Sequence, residues 1–171
     1  MGTFMASIAF RRTEQTDWPQ VRQRLKELFD GVEGLVNNLD EEGPGYAIVS
    51  PYGEMGMFLG EYAPQVSKLL QGYAVMTVCN DSDFACLTVY DDGAQVENCC
   101  VGELYEEFSE FMEVTPPRPE FWRQLMRDDT QTDALQEALF AEMVFVENNL
   151  MLLSKLTGMP IFDEHMVFEM L

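Results

Sequence analysis

"YAVMTVCNDSDFACLTVYDDGAQVENCCV", residues Tyr73 to Val101, holds three runs of strand-forming residues divided by two groups of turn formers. "YAVMTVCN", "DFACLTVY" and "AQVENCCV" are rich in Val, Thr, Cys and aromatics, which suit a pleated, half-buried surface. "NDSD" (Asn80–Asp83) separates the first two, and "DDG" (Asp91–Gly93) separates the last two. Aspartates bond the local backbone in turns, and Gly93 accepts the positive φ that a tight hairpin demands. The stretch therefore predicts a three-stranded antiparallel meander.

The same residues invite a metal reading, which fails on spacing. Asp81 and Asp83 begin like a calcium loop, but Ala85, Cys86 and Asp92 stand where a further oxygen ligand, a glycine and a glutamate are needed. Zinc is disfavoured because no C-x-x-C occurs, and adjacent Cys99 and Cys100 would point to opposite faces of a strand. Cys79, Cys86, Cys99 and Cys100 read instead as free thiols acting as small hydrophobes.

Outward from the meander, Phe4 to Phe10 reads as a strand with imperfect alternation. "TDWPQVRQRLKELFDGVEGLV" reads as a helix capped by Asp17, with Pro19 in its first turn. Its apolar stripe is Trp18, Val21, Leu25, Leu28, Phe29 and Val32. After the turn-rich "NNLDEEGPG", "YAIVSP" and "MGMFLG" predict two short strands, and "APQVSKLLQG" a short helix. "GELYEEFSEFMEV" has helical periodicity, with Leu104, Tyr105, Phe108, Phe111 and Met112 on one side and Glu103, Glu106, Glu107 and Glu110 on the rest. "TPPRP" breaks the chain before the short helix "EFWRQLMR". Asp133 to Leu156 predicts one long helix, with a capping box from Thr130 and Asp133 and a stop at Gly158 and Pro160.

The expected fold class is α+β: a mostly antiparallel sheet backed by helices on one face, with a helical C-terminal portion. Residues 1–171 read as one domain, with a possible sub-boundary near 115–119. Leu135, Leu139, Met143, Val146, Leu150 and Leu153 need burial, so the C-terminal helices are expected to pack back on the sheet.

Charge narrows the function. Thirty Asp and Glu against ten Lys and Arg give a formal −20, while 47% hydrophobic residues allow a sizeable core. Residues 69–171 hold twenty acidic and four basic side chains, so most of the surplus lies there. Such a chain repels phosphate backbones and anionic bilayers and favours basic partners. The expectation is no direct nucleic acid, no membrane and a basic protein partner.

"MGTFMASIAFRRTEQ" lacks the basic region of a secretory leader, so a cytoplasmic location with reduced thiols is expected. No nucleophile elbow, P-loop or dinucleotide fingerprint occurs, and His165 in "FDEHMVF" is the only histidine. No catalytic residue, metal ligand or cofactor is assigned.

Two features stand above this background. The acidic face of Glu103, Glu106, Glu107 and Glu110 offers a docking surface for Lys or Arg of a partner. The long helix is apolar around much of its circumference, through Ala138, Phe140, Ala141, Val144, Phe145, Met151 and Leu152. That allows a homo-oligomer through the 134–156 helix. In composition the chain resembles bacterial immunity and antitoxin-like proteins, which implies a non-enzymatic interaction protein; a DNA-mimicking inhibitor is a special case. The alternatives are a carboxylate-based protein or enzyme acting on a small ligand or divalent metal, and a structural homo-oligomer.

Overall fold

A computed structural model describes residues 2, 4–11, 13–32, 36–38, 45–50, 56–104, 106–110, 112–162 and 168–170. The elements run β1 (Met5–Arg11), α1 (Trp18–Leu28), β2 (Val36–Asn38), β3 (Gly45–Ser50), α2 (Gly56–Leu70), β4 (Tyr73–Asn80), β5 (Phe84–Asp91) and β6 (Ala94–Gly102). They continue with α3 (Glu106–Ser109), α4 (Pro119–Leu125), α5 (Thr132–Phe140), α6 (Val146–Thr157) and β7 (Phe168–Met170). The strands form one antiparallel sheet in the order β6-β5-β4-β1-β3-β2-β7, and the fold is α+β.

The meander sits where the turn chemistry places it. Asp81 and Ser82 take positive φ (50° and 63°), and Asp83 N donates to Asn80 O at 3.1 Å, which closes the first turn. Asp91 opposes Ala94 across the second turn, leaving Asp92 (φ 46°) and Gly93 (φ 84°) as a two-residue loop of type I′.

β1 runs between β3 and β4, and Ala6 to Phe10 are all buried. Its poor alternation has this cause: both faces of the strand are covered, so neither needs polar residues. Ala6, Ile8 and Phe10 face one core with Trp18, Leu25 and Phe29 and with Leu59, Ala63 and Val66 of α2. Ala9, Val75, Leu87 and Val101 face another, filled by Trp122, Leu125, Leu135, Leu139, Leu150 and Leu153. Helices therefore cover both faces of the sheet, not the one face expected. Arg11, at the end of β1, ties this second layer down: its Nη1 donates to Leu125 O (3.2 Å) and Thr157 O (3.1 Å), at the C-terminal ends of α4 and α6.

Several local expectations are corrected. α1 is capped by the Asp17 carboxylate, as expected, but ends at Leu28; Gly31 beyond it takes φ 77°. "MGMFLG" is no strand: from Gly56 it belongs to α2, where Leu59, Ala63 and Val66 repeat at helical spacing and Pro64 lies inside. A short apolar run with a proline behind it reads equally well as a strand followed by a helix start. Among its described residues, "GELYEEFSEFMEV" contributes the single turn α3.

The long C-terminal helix is two helices. Ala141 and Phe145 are both extended, and Asn149, fully buried, donates through Nδ2 to Ala138 O (3.1 Å) and Ala141 O (3.0 Å). The new helix start at Val146 is held by Ser82 O, which accepts from Val146 N at 2.9 Å. The Thr130–Asp133 capping box does not form; Asp128 Oδ1 takes the Thr130 N–H and hydroxyl instead. The Gly158 stop is present, left-handed at φ 70°.

Asn149→Ala withdraws the donor from two carbonyls at the α5–α6 corner. A loss of about 1–3 kcal/mol is expected, read as a lower urea midpoint at unchanged slope.

Candidate functional site

β6 is an edge strand, and the chain beyond it doubles back along that edge. It leaves at Gly102, where φ is 84° and an added Cβ would lie 2.3 Å from Asp83 O, so only glycine fits. It returns at Thr115, whose N and Oγ1 both donate to Asn98 O (3.0 and 3.2 Å), while Asn98 Nδ2 donates to Glu113 O at 2.7 Å. The described residues between 103 and 117 thus form a strap with two arms.

The returning arm is locked by an ion pair. Glu97 is 3% exposed, and Arg118 Nε donates to both of its carboxylate oxygens at 3.3 Å. Arg118 N and Asn98 N also donate to that carboxylate (3.2 and 3.1 Å), and the guanidinium lies 5.2 Å from the Phe121 ring centre. An acid alternating with Cys99 and Val101 on the inward side of a strand was the one sequence sign of this buried pair, and it was missed.

Between the strap and the end of α5 lies a groove of about 390 Å³. Leu104, Val114, Pro117, Leu139 and Phe140 form its walls, Cys100 borders it, and Glu142 is its acidic lining residue. Glu103 and Glu113, each next to a lining residue in the chain, are exposed. Residues 102–115 contain five glutamates and no basic residue. Beside the groove, Phe140 (43%), Phe145 (55%) and Val144 (86%) are exposed, an apolar edge created by the break between α5 and α6.

Glu103, Glu106 and Glu110 are exposed on the strap and have no ion-pair partner among the described residues. They share the strap but not the multi-turn helical face expected of them. The Glu107 side chain, Tyr105, Phe111 and His165 lie outside the described residues. Among the described residues no group of three His, Cys, Asp or Glu could hold a metal, and no helix is long and apolar enough to cross a membrane. No family model matches the chain, and no curated protein or solved structure is significantly similar to it.

Cys79 and Cys99 face the second core and are buried. Burial, with Glu147 near the first and Glu97 near the second, pushes both thiols up to about 12. The folded chain thus keeps two protons that the unfolded chain releases from the ordinary 9.0. Their contribution to stability is fully present below pH 9.0 and is lost as pH rises towards 12. Urea midpoints should fall over that range, and the Cys79→Ala/Cys99→Ala variant should flatten the fall.

Arg118→Met leaves the Glu97 carboxylate buried without its counter-ion. Arg118 is 47% exposed, so the expected cost is about 1–3 kcal/mol, below that of a wholly buried pair. Adding Glu97→Gln should recover part of it, as a double-mutant cycle would show.

Proposed function

We propose that this chain is a cytoplasmic, non-enzymatic interaction protein that binds a basic protein partner along the strap and groove. The observation that supports this reading is an apolar groove set among carboxylates, of which Glu103, Glu106 and Glu110 have no ion-pair partner among the described residues. An apolar side chain of the partner seats between Leu104, Val114 and Phe140. Flanking Lys or Arg side chains reach Glu103, Glu106, Glu107, Glu110 and Glu142. Charge would speed encounter and reject anionic surfaces, while the apolar seat supplies most of the residence time. Carboxylates spaced along a strap also suit a DNA mimic, in which they take the place of phosphates on a basic protein.

The exposed Phe140, Val144 and Phe145 favour a second reading, association of two copies through the α5–α6 corner. Sedimentation at increasing concentration separates the two: Phe145→Ser would dissolve a dimer and leave a partner-binding monomer unchanged in mass.

The test of the first reading uses basic amphipathic peptides, such as Lys-flanked Leu or Phe sequences, against neutral peptides of equal apolarity. Association of the basic set should slow about tenfold or more between low and high salt. Glu103→Gln/Glu113→Gln/Glu142→Gln should reduce the association rate, and Phe140→Ser should raise the dissociation rate. Binding that ignores both ionic strength and peptide charge would refute the proposal.

A further inference from the structure

Cys86 of β5 and Cys100 of β6 are register partners on one face of the hairpin. The ladder fixes the kind of pair. Glu103 N donates to Asp83 O at 3.0 Å, a hydrogen-bonded position three residues away. Alternation from there makes Ala85–Val101 hydrogen-bonded and Cys86–Cys100 non-hydrogen-bonded. At such a site the Cα atoms of an antiparallel pair lie about 4.5 Å apart, within the range a disulfide spans. Cys100 Sγ donates to Val101 O at 3.6 Å, and the proximity of the two thiols lowers the Cys86 pKa and raises that of Cys100. Cys86 Sγ also contacts Met112 Sδ at 3.8 Å, on the strap.

Access is unequal. Cys100 borders the groove and is half-buried, whereas Cys86 is 8% exposed. Cys79 and Cys99 sit in the core on the opposite face and stay protonated up to about 12, so they do not compete.

We propose that Cys86 and Cys100 form a reversible cross-strand dithiol that exchanges with low-molecular-weight disulfides. Cys100, as thiolate, attacks one sulfur of the external disulfide. One external thiolate leaves and takes up a proton. Cys86 then gives up its proton and attacks the Cys100 sulfur of the mixed disulfide, displacing the second external thiolate. Two protein thiols are oxidised and one external disulfide is reduced to two thiols. The first step is slow at neutral pH because Cys100 is held protonated, and the second is fast because Cys86 already faces it. Bond formation draws Cys86 Sγ from Met112 towards Cys100, so the strap senses the redox state of the hairpin. The proposal is independent of any partner at the groove.

The test incubates the intact chain with oxidised and reduced glutathione at a series of ratios. Free thiols are then alkylated under acid quench and mapped by peptide mass spectrometry. Two of the four cysteines should be lost together, joined as Cys86–Cys100, and dithiothreitol should restore both. The rate should rise with pH. Cys86→Ser should stop at a glutathione adduct on Cys100. The mapping of the unsubstituted chain decides the matter even should that variant misfold. Four thiols surviving at oxidising ratios, a persistent Cys100 adduct beside free Cys86, or a link to Cys79 or Cys99 would each overturn the proposal.

Discussion

A strand with no polar side has to be roofed twice. β1 carries an unbroken buried run, Ala6 to Phe10, and β4 beside it buries Ala74 to Thr77. Water can be excluded from both strands only if helices lie above and below them. α1 and α2 supply one layer and α4, α5 and α6 the other. Arg11 shows how closely these parts are joined, since one guanidinium at the rim of the sheet satisfies the final carbonyls of two helices that would otherwise lack donors.

Once both faces are filled, the surface available for contact lies at the perimeter. Residues 102–115, with five glutamates and no basic residue, border the β6 edge, and there the strap spares the strand a fully open row of backbone groups. Glu97 and Arg118 fasten one arm of the strap, and the other arm leaves through Gly102, the close approach to Asp83 O. The groove is what remains between two arms and a helix end that do not meet.

The residues showed some of this and concealed the rest. The meander was legible because its turns are written locally: Asp92 and Gly93 take left-handed conformations, which an aspartate tolerates and a glycine, lacking a Cβ, adopts freely. The burial of Leu135, Leu139, Val146, Leu150 and Leu153 was legible from helical spacing, whereas Met143, expected with them, is only half-buried in the break. The break at residues 141–145 was not, since no glycine or proline marks it; the side chain of Asn149, just beyond it, and the carbonyl of Ser82, distant in sequence, hold it. Likewise the periodicity of residues 102–114 yields to tertiary pairing, because Thr115 must return to Asn98. The acidic character of the site could be read from residue types. The apolar seat could not, because it depends on where α5 stops.

The placement of β1 carries a kinetic cost. Its two neighbours are laid down later in the chain, Met5 pairing with Cys79 and Ala6 with Ser50. An early hairpin can form from β4, β5 and β6 alone, but the middle of the sheet closes only through large loops, and such closure is slow. During synthesis "MASIAF" therefore waits as a bare, sticky ribbon. The dense negative charge elsewhere in the chain repels sister chains during that wait.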